Sequence, residues 1–375
     1  MSRRVVHYVD SDLFGGSEEA ALHLIAALDR ARWEPVLLHH TGAGVARLVE
    51  GAGRLGVRTC AVPRPDRARR IPGLAGLWQA LRTERPAILH AHLSWPLACK
   101  YGVLAAWLAR VPAIVATAQL YHEVGSHREQ RLMSMALRRI IAVSNEVRTR
   151  YARELRVPER KLAVVPNGIA VPPAVRRPDP ALRAELVRGR PDYVVLTPAR
   201  LHEQKGHAYL LAAAAQVTEA TFILAGDGPL RAELERLAAE LNVADRCVFL
   251  GYRSDVSDLL AAADVFVLPS LFEGLPVSVL EAMAAERPVV ATAIGGTDEA
   301  VTHEVTGLLV PPRDAAALAA AIRRLLADPL LARRLAAAGR ERVQREFSSA
   351  ATARNVMRIY EEVTGADPSA GAGHA

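Results

Sequence analysis

Residues 272–283 have the sequence FEGLPVSVLEAM, and this stretch decides the fold. It follows the apolar run VFVLP at 265–269, which is typical of a buried parallel strand that ends in a loop. Gly274 lets a backbone approach a ligand closely, and Pro276 suits the first turn of a helix. Because the free amides at such a helix start can bind a phosphate, we predict a strand, a loop and a helix that form a phosphate site.

Two glutamates lie on either side of this predicted helix start. Glu273 is in the loop, and Glu281 falls more than a turn into an otherwise apolar helix. A buried carboxylate there is unfavourable unless donors satisfy it, and a pair of sugar hydroxyls would do so. A lone glutamate at either place would more often be an ordinary solvated residue. Two of them beside a phosphate site favour a functional interpretation.

The glutamate pair resembles the motif of the retaining glycosyltransferases of family 4, and the resemblance extends from Phe14 to about Tyr360. It implies an α/β protein with the GT-B fold, in which two Rossmann-like parallel-sheet domains face each other across a cleft. It also implies that Glu273 contacts the donor sugar and that Glu281 holds the ribose hydroxyls of the nucleotide. The donor-binding loop would then include Gly274, Leu275 and Pro276.

Composition narrows the classes of protein that fit. The 375 residues suggest two or three domains, and a hydrophobic content of 51% is ample for their cores. The apolar runs are too short to span a membrane, and the N-terminus enters a strand without the apolar core of a signal peptide. The three cysteines have no metal-ligand spacing. They predict reduced packing residues in a cytoplasmic protein.

The formal charge of +7 would suit nucleic acid, an anionic membrane or phosphorylated substrates. No nucleic-acid module is evident and aromatic residues make up only 5%, so we predict no nucleic-acid partner. Lysine is rare and arginine abundant, which makes part of the charge a compositional bias.

One basic stretch has apolar neighbours and predicts a peripheral contact with an anionic membrane, where a lipid-linked acceptor would wait. The alternative is a solvated arginine-rich loop, which is the commoner outcome for a run of charges. The residues concerned are Arg64, Arg67, Arg69, Arg70, Leu74, Leu77 and Trp78.

A glycine pair, Gly15 and Gly16, stands between the first predicted strand and the first predicted helix. This placement suits a phosphate, and in the resemblance it is the loop that faces the donor diphosphate. Asp10 and Asp12 could instead indicate the metal site of the other large glycosyltransferase fold. We reject that interpretation because the pair precedes a glycine loop and nothing downstream supports that fold. We therefore expect no metal and no other cofactor.

Two strand ends in the first half carry polar residues. His90 and His92 share one face of a strand, but a metal site needs a third ligand and none is evident. Gln119 follows the next strand, at a place where many family members have a histidine. His122, three residues further on, is the other candidate to serve the acceptor side of the site.

Two cationic residues lie near the start of the second half of the chain. Arg200 follows a predicted strand and Lys205 opens the next helix, an arrangement that suits a diphosphate, although two solvated loop cations would look alike. In the resemblance these residues form the phosphate clamp. It further implies that Gly226 faces the nucleotide, that Arg253 borders the base, and that Gly295 and Gly296 contact the far side of the donor.

The alternation of strands and helices predicts the division of the chain. We expect an N-terminal, acceptor-side domain over 1–170 and a proline-rich hinge over 171–181. A second domain follows over 182–346; the resemblance implies that it binds the nucleotide-sugar and that a helix over 347–364 crosses back to the first domain. Residues 365–375 form a small, polar tail that we expect to be disordered.

The residues together with the resemblance predict a glycosyltransferase that moves a sugar from a UDP- or GDP-linked donor to an acceptor hydroxyl, and the resemblance implies that it retains the anomeric configuration. The acceptor would be lipid-linked, a polysaccharide or a small-molecule glycoside. Cations and the glycine loop would stabilise the charge on the leaving diphosphate. Two alternatives remain open: a nucleotide-sugar epimerase on the same fold, and a nucleotide-sugar-binding module without turnover, which Gln119 makes plausible.

Overall fold

The computed structural model describes residues 2–11, 14–65, 70–121, 127–190 and 193–365. They form two compact units, of which unit 1 comprises Met1–Ala170 with Ser349–Ala375 and unit 2 comprises Val171–Ser348. Residues 171–179, most of the predicted hinge, contain no helix or strand, and the next residue opens a helix. The predicted tail lies, beyond Gly365, outside the described residues.

Unit 1 is built on a seven-stranded parallel sheet with the order β3-β2-β1-β4-β5-β6-β7. The strands are β1 (Arg3–Val9), β2 (Trp33–His40), β3 (Arg58–Val62), β4 (Ile88–Leu93), β5 (Ala113–Ala118), β6 (Arg139–Ala142) and β7 (Leu162–Val164). The helices are α1 (Gly16–Ala27), α2 (Ala46–Arg54), α3 (Arg70–Glu84), α4 (Lys100–Leu108), α5 (His127–Ala136) and α6 (Asn145–Arg153).

Unit 2 is built on a six-stranded parallel sheet with the order β10-β9-β8-β11-β12-β13. The strands are β8 (Tyr193–Pro198), β9 (Ala220–Ala225), β10 (Cys247–Gly251), β11 (Val265–Leu268), β12 (Val289–Thr292) and β13 (Leu308–Val310). The helices are α7 (Pro180–Val187), α8 (His207–Ala214), α9 (Arg231–Glu240), α10 (Val256–Ala262), α11 (Val277–Ala284), α12 (Thr297–Ala300), α13 (Ala315–Ala327) and α14 (Pro329–Glu346).

The last helix, α15 (Ser349–Thr364), packs in unit 1 rather than beside α14, which precedes it. Its buried residues Ala353, Val356, Tyr360 and Val363 recur at three- and four-residue spacing and so form one apolar stripe. This stripe joins the core cluster of β1, β4 and α1. Burial of that stripe holds the C-terminal helix in the first unit.

Each sheet reverses its strand order once, between β1 and β4 in unit 1 and between β8 and β11 in unit 2. In doubly wound parallel sheets, ligands bind at the carboxyl ends of the strands beside such a reversal. The loops that follow these four strands are therefore where a site is expected. Within the described part of the chain, no helix is both long and apolar enough to cross a bilayer.

Candidate active site

Lys205 and Glu273 meet at the reversal point of the unit 2 sheet. Lys205 lies in the turn after β8 and Glu273 in the loop after β11, and the ammonium Nζ forms an ion pair with the carboxylate Oε1. The two side chains are only 15% and 7% exposed. Because both charges are largely removed from water, the pair creates a strongly polar point at the carboxyl edge of the sheet.

Two further donors hold the Glu273 carboxylate. The Ser270 hydroxyl donates to Oε1 over 2.7 Å, and the Gln204 amide Nε2 lies 3.4 Å from Oε2. Oε1 thus accepts from an ammonium and a hydroxyl, whereas Oε2 has a single long contact. An ionised carboxylate has about four lone-pair sites, so Oε2 keeps acceptor capacity for a hydroxyl group of a ligand.

Hydrogen bonds from Gln204 on one side and from β12 on the other hold the loop that carries Glu273. The Gln204 backbone carbonyl accepts from the Leu271 amide over 2.7 Å, and the Gln204 side chain donates to the Phe272 carbonyl over 3.0 Å. From β12, the Thr292 hydroxyl donates to the Ser270 carbonyl over 2.5 Å. These bonds fix the position of the carboxylate before any ligand arrives.

Two of the predicted donor-binding glycines allow neighbouring loops to touch. Gly296 has a φ of +82°, and a Cβ added there would lie 1.7 Å from the Gly274 carbonyl oxygen. At Gly226 a Cβ would lie 2.0 Å from the Ala199 carbonyl oxygen, next to Arg200. Any side chain at these two positions would push the loops apart. The glycines therefore bring the site loops together, and their predicted ligand contacts stay predictions.

The start of α11 differs in one detail from the sequence prediction. Pro276 is the N-cap with an extended backbone, and the helix itself begins at Val277, so the proline precedes the first turn rather than lying in it. Gly274, Leu275 and Pro276 are all buried, and their ligand contacts stay predictions. Glu281 is half-buried in the second turn of α11.

Arg200 is exposed in the loop after β8, and within the described residues its side chain forms no ion pair. Its guanidinium is therefore available to an anion beside Lys205. The neighbouring His207 is buried, and burial together with the Lys205 charge lowers the pKa of His207 to about 4. His207 is therefore neutral near pH 7. The positive charge at this edge of the sheet comes from Lys205 and Arg200.

Arg253, predicted to border a base, already has a partner. Its Nε and Nη2 donate to the two carboxylate oxygens of Asp255 over 2.7 Å and 2.5 Å. This fork raises the pKa of Arg253 and lowers the pKa of Asp255. A bidentate pair fixes the orientation of the guanidinium. Its role toward a ligand stays a prediction.

The glycine loop of unit 1 uses one of its amides internally. The Gly15 amide donates to the Glu18 carboxylate over 2.9 Å, and Gly15 is the N-cap of α1, whose first residue is the exposed Gly16. A phosphate at Gly15 would have to replace this bond.

The Asp10 carboxylate accepts a hydrogen bond from the Cys99 amide over 2.6 Å, and Asp12 lies outside the described residues. Asp10 therefore anchors the start of α4.

Gln119 forms a reciprocal amide pair with Asn167. The Asn167 amide donates to Gln119 Oε1 over 2.7 Å, and the Gln119 amide donates to Asn167 Oδ1 over 3.3 Å. Both side chains are buried and line a small cavity with His92 and Thr117. Sequence reasoning gave Asn167 no role, because a polar residue in a loop carries no distinctive signal. His122 lies outside the described residues.

The expectation that His90 and His92 have no third histidine nearby was wrong. His7 on β1 is the register partner of His90 on β4, and all three offer ring nitrogens within 4.8 Å of one another. The residues do not fit a metal, however. Both His90 nitrogens are bonded, to the Tyr360 and Thr117 hydroxyls, and the His90 and His92 rings stack 4.5 Å apart at 23°. Near-parallel rings do not direct their lone pairs at one point. The cluster instead ties α15 to the sheet.

This histidine cluster predicts acid sensitivity. Burial lowers the pKa of His7 and His90 well below the usual range and that of His92 to about 4. Below about pH 6.5 these histidines bind protons in the unfolded chain but not in the folded chain. The free energy of unfolding therefore falls as the pH drops toward 4. For His92 alone the loss at pH 4 is on the order of 3 kcal/mol.

Urea unfolding followed between pH 7.5 and 4.5 measures this loss. His92→Asn should flatten the pH dependence, whereas replacement of the exposed His127 by asparagine should leave it unchanged. Equal slopes for His92→Asn and the unaltered protein would contradict the assignment.

Comparison with known proteins agrees with this geometry. The family model "Glycosyltransferase Family 4" matches residues 14–171, and the model "Glycosyl transferases group 1" matches residues 179–342. The chain is 31% identical to UDP-Gal:alpha-D-GlcNAc-diphosphoundecaprenol alpha-1,3-galactosyltransferase of Escherichia coli, covering 70% of this chain and 72% of that protein. It is also 31% identical to 2-deoxystreptamine glucosyltransferase of Streptomyces kanamyceticus, covering 86% and 92%.

Solved structures show the fold. The structure of Anabaena Alr3699/HepE in complex with UDP and glucose superposes with a TM-score of 0.84 at 21% identity, covering 96% of this chain and 100% of that chain. Sucrose-phosphate synthase from Thermosynechococcus elongatus superposes with a TM-score of 0.78 at 25% identity, covering 97% and 100%. The chain has the α/β GT-B fold of these proteins.

Proposed function

This chain belongs to the group 1 glycosyltransferases of family 4, which take their sugar from a nucleotide-sugar donor, and we propose that it is a retaining, metal-independent enzyme. One observation carries the proposal: the largely buried Lys205–Glu273 pair at the strand reversal of unit 2. It sets a cation for the diphosphate next to a carboxylate for the sugar. The other ion pair that the structure describes at this edge, Arg253–Asp255, is more exposed and follows the edge strand β10 rather than the strands at the reversal.

The leaving group defines what the site must do. As the bond from the sugar to the diphosphate breaks, negative charge grows on the phosphate oxygens, and fixed cations there stabilise the transition state. The Lys205 ammonium supplies a compact positive charge, and the planar Arg200 guanidinium can donate two hydrogen bonds to one phosphate. Glu273 accepts a hydrogen bond from a sugar hydroxyl, and Glu281 holds the ribose. Because the two cations neutralise the diphosphate, the chemistry needs no metal.

A donor panel tests the function. The protein is mixed with UDP- and GDP-hexoses, and released nucleotide is measured with and without lipid and saccharide acceptors. A transferase releases nucleotide in step with glycoside formation when the acceptor is present. An epimerase releases free UDP without any acceptor, and a binding module gains thermal stability from a donor without turnover. Either of the last two results would overturn the proposal.

Chelation provides a second test. We expect the rate of nucleotide release to be unchanged in excess EDTA, because Lys205 and Arg200 carry the charge that a metal would otherwise carry. The control is a metal-dependent glycosyltransferase assayed in the same buffer. Loss of activity in EDTA with recovery in Mn²⁺ would show that Asp10 and Asp12 were wrongly dismissed as a metal site.

We further propose a lipid-linked acceptor, reached from the inner face of an anionic membrane. The helices α3, α4 and α5 contact one another in sequence and form one layer of unit 1. Eight of the exposed large apolar side chains lie on this layer and its connections. They are Ile71, Trp78, Trp95, Leu104, Trp107, Leu108, Leu132 and Met135. Three of the chain's four tryptophans are among them. We call this set the apolar face.

The charge around the apolar face selects an anionic surface. Eight exposed cations lie on or within two residues of the three helices in the described residues, namely Arg70, Arg82, Arg85, Lys100, Arg110, Arg128, Arg131 and Arg138. The only exposed carboxylate on these helices is Glu129. Tryptophan and arginine together are typical of segments that lie at a lipid interface.

The sequence prediction of this surface is corrected at Leu77, which is fully buried. Arg67 and Arg69 lie outside the described residues.

Sedimentation with vesicles checks this contact. We expect the protein to sediment with phosphatidylglycerol-containing vesicles in low salt, less so in high salt, and hardly with neutral vesicles. Trp107→Glu, at a side chain 64% exposed, should abolish sedimentation. The matched control is Leu330→Glu on α14, where the side chain is 73% exposed outside the apolar face. Equal sedimentation of the two variants would contradict the docking proposal.

A further inference from the structure

Lys205 serves two anions if the proposed function is right. In the ligand-free structure its ammonium pairs with Glu273, yet the donor diphosphate needs the same charge. The ammonium is a point charge on a flexible stem, and a diphosphate carries more negative charge than a carboxylate, so an arriving diphosphate draws the ammonium away from Glu273. Glu273 is only 7% exposed and would then lose its main partner inside the protein. Something else must hold the carboxylate in place.

Ser270 and Gln204 are placed to do this. The Ser270 side chain is fully buried, its hydroxyl donates to Oε1 over 2.7 Å, and its own carbonyl is held by Thr292. The Gln204 amide bridges the Phe272 carbonyl and Oε2. Neither residue carries a charge, so neither is attracted to the phosphates. Their hydrogen bonds to Glu273 persist when the ammonium moves.

We propose that Ser270 and Gln204 are positioning residues that keep the Glu273 carboxylate aimed at the donor sugar while Lys205 binds the diphosphate. The inference rests on the proposed function. It also accounts for the unequal oxygens of Glu273, since Oε1 keeps the short Ser270 bond when the ammonium moves, whereas Oε2 has only the long Gln204 contact and can accept from a sugar hydroxyl. The sugar end of the donor is thus recognised through a carboxylate whose orientation comes from two neutral side chains.

The test compares affinities for UDP and UDP-glucose, or for whichever nucleotide–sugar pair of the donor panel binds most tightly. A hydrogen bond to a charged group contributes roughly tenfold or more in binding. Ser270→Ala should therefore lose about tenfold of the affinity that the sugar adds, while UDP binds as before.

Thr197→Val is the matched control. The Thr197 hydroxyl is also fully buried in a neighbouring strand of the same sheet and donates over 2.9 Å to the Val267 carbonyl, without contact to Glu273. This variant should lower thermal stability without changing the affinity that the sugar adds to UDP. Gln204→Met should lose the same part of the affinity that the sugar adds to UDP as Ser270→Ala does.

Two results would overturn the inference. In the first, Ser270→Ala keeps all of the affinity that the sugar adds to UDP. In the second, it loses UDP and UDP-glucose affinity in equal proportion, as expected if the hydroxyl only supports the loop. If the unaltered protein binds UDP but gains nothing from any attached sugar, the proposed function itself fails, and that outcome is visible without a variant.

Discussion

Replacement of Glu273 by glutamine lowers sugar transfer by about a hundredfold to a thousandfold, the range found when one preorganised polar contact is removed from an active site. Glutamine keeps the size of the side chain but removes the charge. If its carbonyl oxygen replaces Oε1 beside Lys205 and Ser270, its NH2 group replaces Oε2 and cannot accept from Gln204 or from a sugar hydroxyl. The sugar then loses its fixed acceptor. Nucleoside diphosphate affinity should be unchanged or higher, because Lys205 is released toward the phosphates.

Steady-state rates and calorimetric titration with the nucleoside diphosphate measure these two effects. Glu203→Gln is the control, since Glu203 is exposed in the same turn as Lys205 and its loss changes the net charge equally. Near-normal transfer by Glu273→Gln would remove Glu273 from the site.

The second large effect is expected at the cations. Arg200→Ala and Lys205→Ala should each weaken nucleoside diphosphate binding about tenfold to a hundredfold, since a charge-assisted contact contributes roughly 1.5–3 kcal/mol. Transfer should fall below detection. The nucleoside without phosphates should bind as before. Arg236→Ala on α9 controls for net charge, because Arg236 is exposed and, among the residues that the structure describes, forms an ion pair only with Glu240. Unaltered transfer in either site variant would contradict the phosphate clamp.

Replacement of Lys205 and replacement of Arg200 should differ in their effect on the free energy of unfolding. Removing the ammonium leaves the Glu273 carboxylate mostly buried without its ion-pair partner, which costs about 3–5 kcal/mol in comparable pairs. Arg200→Ala should leave the free energy of unfolding nearly unchanged. The double variant Lys205→Met with Glu273→Gln should recover most of the lost stability without recovering transfer. A double variant as unstable as Lys205→Met alone would show that the pair is not coupled.

The sequence predicted local features of the site well. The strand, loop and helix around residues 265–284 follow from an apolar run, a glycine and a proline, all of which act within a few residues. Only the position of Pro276 differs, because helix ends are set by capping geometry rather than by the residue type alone.

Contacts between distant segments could not be predicted in the same way. Lys205 and Glu273 are 68 residues apart and meet because β8 and β11 are adjacent in the sheet, which periodicity does not reveal. His7 was missed beside His90 for the same reason, since the strand register decides which residues become neighbours. Ser270 and Gln204 have ordinary loop surroundings in the sequence. Their importance is visible only in the bonds they make to Glu273.

Product stereochemistry tests the central claim most directly. A donor that supports nucleotide release is incubated with the protein in EDTA, and NMR follows the anomeric signals of donor and product. The account predicts metal-free transfer to the acceptor hydroxyl with the anomeric configuration of the donor retained, and its loss in Glu273→Gln. A product of inverted configuration, or no transfer from any UDP- or GDP-hexose with any lipid or saccharide acceptor, would contradict it.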